Sequence, residues 1–285
     1  MRTVGVIGGS GLYEIQGLRD VRSVSVGTPW GSPSDELITG TLGDVNMVFL
    51  PRHGKGHVLI PSEINYRANI FAMKKLGVEW IIAVSAVGSM KEEIFPGHVV
   101  VPSQYYDHTK GRPSTFFGEG LAAHVSMADP VCPVLSEVLA QAARDAGAVV
   151  HEGGTYICME GPQFSSRAES NIYRSWGVDV IGMTNMPEAK LAREAEICYA
   201  SLALATDYDC WHEGHDDVTV DDLIETLTQN VALSKTVIER AAPEIDASRE
   251  CVCSNALQNA VITSSGSINS DVKNRLGILI ERYIK

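Results

Sequence analysis

Ile197-Cys198-Tyr199-Ala200-Ser201-Leu202-Ala203-Leu204-Ala205 is an apolar, small-residue run, and Thr206-Asp207-Tyr208-Asp209-Cys210-Trp211 breaks it with two carboxylates one residue apart. The apolar part reads as a strand buried on both faces of a parallel sheet. In open α/β sheets ligands gather at the carboxyl ends of such strands, and strand alternation puts Asp207 and Asp209 on one face. Two like charges that close disfavour double ionisation, which raises at least one pKa and keeps a proton available near neutrality. One such carboxyl can donate to, or share a proton with, a purine ring nitrogen while the other accepts from an exocyclic amine. A solvated turn after a strand would use the same residues, so the rest of the chain has to decide.

Working outward, Thr3 to Ile7, Glu36 to Thr41, Val45 to Leu50, Trp80 to Val87, His98 to Val101, Val149 to Met159 and Val178 to Met183 read as further strands. Helices are expected at Ser62 to Leu76, Pro133 to Ala146, Ser165 to Trp176, Pro187 to Glu196, Val220 to Ala241 and Ser270 to Tyr283. Strands separated by helices predict an α/β fold, a three-layer α/β/α arrangement with a mixed central sheet. No linker, low-complexity tract or repeat divides the 285 residues. One domain over 1–285 is expected, with a core of about 3–241 and a helical extension of about 242–285.

Four other strand ends offer donors for an anion. Gly8-Gly9-Ser10-Gly11 presents backbone N–H groups and a hydroxyl, although it lacks the glycine and lysine spacing of dinucleotide and P-loop motifs. Pro51-Arg52-His53-Gly54 places a guanidinium beside an imidazole in a glycine-flanked loop. Ser85-Ala86 and Thr184 add hydroxyls and N–H groups after two more apolar runs. Each alone has a bland reading as a turn or cap, but together with the acid pair they describe a phosphate beside a purine.

The formal charge of −12 argues against a nucleic-acid partner. The N-terminus carries no signal-peptide pattern and no apolar stretch is long enough to span a bilayer, so a soluble cytoplasmic protein without a membrane partner is expected. Six cysteines stand at positions 132, 158, 198, 210, 251 and 253 without C-x2-C or His–Cys metal spacing, and no metal is expected. Cys251-Val252-Cys253 could close a small strained disulfide, act in thiol exchange, or remain two free thiols.

The chain resembles the methylthioadenosine phosphorylase and purine nucleoside phosphorylase group in Val6-Ile7-Gly8-Gly9-Ser10-Gly11-Leu12, Pro51-Arg52-His53-Gly54, Ser85-Ala86-Val87-Gly88-Ser89, Met159-Glu160-Gly161-Pro162-Gln163-Phe164-Ser165, Met183-Thr184-Asn185-Met186-Pro187-Glu188-Ala189 and Ala205-Thr206-Asp207-Tyr208-Asp209. These lie in order between Thr3 and about Ala241, and the Asp pair sits where inosine and guanosine phosphorylases have Asn. The resemblance implies a nucleoside phosphorylase-like fold and a phosphate site of Ser10, Arg52, His53, Ser85, Ala86 and Thr184. It implies Met183 along the ribose, Phe164 beside the base, Asp207 and Asp209 on the purine, and Val220 and Leu223 around the 5'-substituent. It also implies that His124 reaches a neighbouring subunit's pocket in a homotrimer or dimer of trimers. Ser10 and Ser85 stand where many relatives have Thr, which retains the hydroxyl, and the C-x-C pair is similar to one in some heat-stable members. The expected reaction is phosphorolysis of 5'-methylthioadenosine to adenine and 5-methylthioribose 1-phosphate, with phosphate as co-substrate and no metal or organic cofactor. The same chemistry on 6-oxo purine nucleosides, and a non-catalytic nucleotide-binding module, are the alternatives.

Overall fold

Every residue of Thr3–Gly8 is buried and forms β1, and a strand without an exposed face needs neighbours at both edges and cover on both sides. The computed structural model, which describes residues 2–212, 220–246 and 248–284 and no side chains of 220–227, supplies them. β1 runs parallel to β4 (Val45–Pro51) on one edge and to β5 (Trp80–Ser89) on the other. Beyond β4 the sheet continues antiparallel through β3 (Leu37–Leu42) to the edge strand β2 (Leu18–Val24).

At β5 the sheet divides. Its whole length pairs in parallel with β11 (Cys198–Tyr208), while its last two residues also pair antiparallel with β10 (Val180–Gly182). From β10 the order runs through β9 (Thr155–Met159) to β7 (Gln104–His108), and from β11 through β6 (Val99–Val101) to β8 (Val150–Glu152). A mixed sheet is what the alternation of strands and helices predicts.

Three layers follow from which residues each face buries. Along β11, Tyr199, Ala203 and Ala205 enter one core, with α1 (Tyr66–Lys75) and α4 (Asn185–Glu194). Cys198, Ala200, Leu202 and Leu204 enter the other, with α2 (Pro133–Asp145) and α5 (Val220–Glu244). Trp80, Ile82 and Val84 of β5 alternate in the same way against Ile81 and Ala83. A smaller cluster joins α3 (Arg167–Ser175) to the ends of β9 and β10 through Tyr173, Met159 and Ile181. The C-terminal segment ends in α6 (Ser270–Leu276) and contributes Leu257, Ala260, Ile268, Val272 and Leu276 to the first core.

Three expectations are corrected. The run 149–159 is two strands, because Gly153 and Gly154 adopt φ of +83° and +82°, which a side chain would disfavour. The last helix stops at Leu276, where Gly277 departs from helical geometry and a short 3-10 turn follows. β2 and β7 carry Arg19, Asp20 and Arg22, or Gln104, Asp107 and His108; they are recruited by the neighbouring strand's unpaired backbone rather than by an apolar pattern.

Leu202 is fully buried between β11 and α2's layer. Leu202→Ala is expected to cost about 3 kcal/mol in urea denaturation; a loss below about 1 kcal/mol would contradict a close-packed second core.

Candidate active site

Arg52 follows β4 directly and is 2% exposed. Its Nε and Nη2 each donate to a Glu188 carboxylate oxygen at 2.9 Å, Nη1 donates to Val84 O at 2.8 Å and Nη2 to Ile7 O at 3.2 Å. All but one of its N–H donors are thereby taken. Burial works against the charge, yet Glu188 outweighs it and holds the guanidinium above its usual pKa. Glu188 lies one turn past Thr184, and Val84 precedes Ser85, so this pair brings together three of the strand ends that the sequence marks. The fourth joins through the Arg52 backbone, whose N–H donates to Gly8 O at 2.8 Å.

His53 is half-buried, and its Nδ1 lies 2.8 Å from Leu59 O. A carbonyl only accepts, so Nδ1 carries the proton and Nε2 presents a lone pair. Burial pushes the pKa down to about 4, and the Arg52 and His57 neighbours push the same way, His57 stacking on the ring at 4.1 Å. A neutral imidazole of this tautomer accepts a proton-bearing phosphate oxygen rather than donating to a bare one. Ser85 Oγ is buried without a hydrogen-bond partner among the described residues. Thr184 is the N-cap of α4 but makes no side-chain cap bond, and Ala86 and Ser10 are exposed. The Ser85 and Thr184 hydroxyls and a helix N-terminus near the Arg52–Glu188 pair suit a small anion.

Three residues beyond Ser85 on β5, a β-bulge at Thr206 in the neighbouring strand shifts the register so that Asp207 lies opposite Gly88. A Cβ at Gly88 would stand 3.2 Å from Asp207 Oδ1 and 3.5 Å from Asp209 Cβ. Both acids therefore lie over one glycine, on one face. Thr206 Oγ1 donates to Asp207 Oδ2 at 2.6 Å, while Asp209 Oδ2 is buried without a hydrogen-bond partner among the described residues. Burial raises both pKa values; the Asp209 charge adds to this at Asp207, and the Glu169 charge adds to it at Asp209. The sequence argument expects mutual repulsion to supply the proton. In the structure desolvation does most of it.

Of the remaining expected site residues, Met183 is half-buried beside Gly161, where a Cβ would stand 2.6 Å from its Sδ. Phe164 is 82% exposed on the loop between β9 and α3. His124 is exposed and its N–H donates to Ala260 O at 2.9 Å; it lies on a segment paired with the C-terminal region rather than beside the acids. Val220 and Leu223 have side chains outside the described residues.

Sequence reading did not assign roles to Glu188, Gly88 or Arg112. Arg112 is 9% exposed and donates through Nη1 to Tyr66 Oη, Met183 O and Met186 O at 3.0, 2.6 and 2.8 Å, and through Nη2 to Glu160 O at 2.6 Å. It ties the loops after β9 and β10 together beneath Met183. A lone Arg in Lys110-Gly111-Arg112-Pro113 carries no periodicity that distinguishes it from a solvated loop residue. Chain folding also brings together Cys132, Cys198, Cys251 and Cys253, which are far apart in sequence, with sulfur atoms all within 4.8 Å of one another.

Comparison with known proteins shows the family. The model of the phosphorylase superfamily matches residues 3–243. An S-methyl-5'-thioadenosine phosphorylase of Geobacter sulfurreducens is 63% identical over 284 residues, 99% of each chain. A methylthioadenosine phosphorylase sourced from an Antarctic soil metagenomic library superposes with a TM-score of 0.95 at 49% identity, covering 98% of both chains. A methylthioadenosine phosphorylase from Schistosoma mansoni, in complex with adenine, superposes with a TM-score of 0.82 at 38% identity, over 91% of this chain and 99% of that one.

Two substitutions test the site's construction. Glu188→Gln leaves Arg52 buried beside a neutral partner and is expected to cost about 3 kcal/mol of stability, read by denaturant unfolding. Gly88→Ala crowds Asp207 and Ile181 and is expected to lower activity about tenfold or more, about 1.4 kcal/mol of barrier, with less than about 2 kcal/mol of lost stability. Unchanged turnover would mean the carboxylates do not work from above Gly88.

Proposed function

The chain belongs to the phosphorylase superfamily, and from that premise we propose how its site phosphorolyses 5'-methylthioadenosine. The reaction takes the nucleoside and inorganic phosphate to adenine and 5-methylthioribose 1-phosphate, as a pentosyl transfer. Full-length relatives that carry this activity in their names support the substrate. The observation that carries the mechanism lies on β5, where the hydroxyl of Ser85 and the acid pair above Gly88 are three residues apart, about 10 Å along a strand. In this reading the sugar lies between the phosphate held near Ser85 and the base held by the acid pair.

As the bond from C1' to N9 stretches, its electron pair moves into the adenine ring and the sugar gains oxocarbenium character. The phosphate, held by Ser10, Arg52, His53, Ser85, Thr184 and the Ala86 backbone, stabilises that cation and closes on C1'. The neutral Nε2 of His53 accepts the remaining P–OH proton, which turns an unprotonated phosphate oxygen toward the sugar. A carboxyl of the Asp207–Asp209 pair, its pKa raised by burial, donates a proton to the departing base, and the other accepts from the 6-amino group. Met183 packs along the ribose and Phe164 closes over the base. His124 comes from a neighbouring subunit of a homotrimer, which suits its place on a segment paired with the C-terminal region. Exposed Phe164, Trp176 and Ile172 provide apolar surface for such an assembly. Six cysteines without a disulfide suit a reducing cytoplasm, and no helix among the described residues is long and apolar enough to cross a membrane.

Base release from 5'-methylthioadenosine, adenosine, methylthioinosine and inosine, each with and without phosphate, tests the reading. Phosphate-dependent adenine release favouring the methylthio substrate is expected; preference for the 6-oxo substrates would overturn it. Asp207→Asn is expected to lower kcat/KM for 5'-methylthioadenosine by about 10²–10⁴, the range of a lost general acid. The same variant should gain stability at pH 7. A carboxyl whose folded pKa is raised binds more protons folded than unfolded, so stability falls as pH rises from the unfolded towards the folded value, and Asn removes that loss. Equal stability of both proteins across pH 4 to 8 would contradict a burial-raised pKa.

A further inference from the structure

Cys132 is the N-cap of α2, Cys198 opens β11, Cys251 is the N-cap of the 3-10 turn Val252–Asn255 in the C-terminal segment, and Cys253 lies within that turn. Three are buried and Cys251 is half-buried. Their sulfur atoms all lie within 4.8 Å of one another, and Cys198 Sγ and Cys251 Sγ are 3.4 Å apart. Zinc bonded to thiolates at about 2.3 Å in a tetrahedron sets its sulfurs about 3.8 Å apart. The four atoms therefore need to move only by tenths of an ångström to about an ångström to surround one ion. We propose that Cys132, Cys198, Cys251 and Cys253 form a tetrathiolate site for a soft divalent metal ion, zinc foremost.

The surroundings support an anionic centre. Four thiols that bind zinc release four protons to solvent and leave a complex of net charge −2. Arg249 Nη2 donates to Cys198 Sγ at 3.7 Å and to Glu196 O at 2.6 Å, which orients the guanidinium toward the cluster. Arg193, 5% exposed, acts on Cys253 by its charge. Cationic donors to the ligating sulfurs are the outer partners such a site requires. Metal binding here needs no oxidant, whereas joining the same sulfurs as disulfides does.

The site is structural rather than catalytic. Cys198 lies nine residues before Asp207, about 30 Å along β11. The set is closed, since four protein ligands leave no open position. It staples the segment that carries Leu257, Val272 and Leu276 into the first core to the start of α2 and β11.

The test is metal analysis of the full-length protein, expressed with zinc supplied and purified without chelator. About one zinc per chain is expected, with the four thiols protected from an aromatic disulfide reagent until a chelator is added. Cobalt substituted for zinc should show thiolate-to-cobalt charge transfer and tetrahedral ligand-field bands. Cys251→Ser should lose the metal and several degrees of Tm while kcat stays within about twofold; Cys210→Ser, outside the cluster, should keep it. Metal-free protein whose four thiols titrate freely, or whose mass shows disulfide formation, would overturn the proposal, and so would zinc that survives Cys251→Ser in full.

Discussion

The ion pair between Arg52 and Glu188 is the constraint on which the rest of the structure depends. Removing two charges from water costs several kcal/mol each, and such a pair persists only when the remaining hydrogen-bonding capacity is met. Here it is met from every side. Glu188 accepts from Nε and Nη2 of the guanidinium and from Tyr199 Oη, and Arg52 donates to the carbonyls of Ile7 and Val84. The partners come from β1, β4, β5, α4 and β11, so satisfying one buried charge fixes where those elements end relative to one another. The anion donors converge because their strands are pinned there.

The same low dielectric acts differently on the groups gathered toward the carboxyl end of β5. Arg52 keeps its charge because Glu188 supplies a counter-charge, while the adjacent His53 is driven neutral. Burial moves Asp207 and Asp209 toward their protonated forms. Desolvation is the common cause, and the difference lies in whether a counter-charge was provided.

The C-terminal segment shows how a fold can be completed from outside its repeating pattern. The superfamily match ends at residue 243, yet residues beyond it bury Leu257, Ala260 and Ile268 in one core and Cys253 in the other. His124 lies on a strand-like stretch held by this segment, through Ala123 opposite Val261. The cluster of four cysteines sits where that segment leaves α5 and meets the core.

Much of this was legible in the residues themselves. An apolar run longer than a turn can hold must be a strand in the interior, so β1, β4, β5 and β11 and the layered α/β class follow from local pattern, and so does the placement of Asp207 and Asp209 at a strand's end. What local pattern carries is hydrophobicity and backbone preference, and those act over a few residues. Partnership does not. Glu188, Gly88, Arg112 and the four clustered cysteines carry no local sign of their roles, because each acquires its role from groups as far as 136 positions away, or from a close approach that no spacing announces. Local pattern carries the apolar strands, the layers and the chemical types at their ends, but not the polar strands β2 and β7; which charges are paired, which are desolvated and which sulfurs meet come only with folding, since those are properties of distance and dielectric rather than of order along the chain.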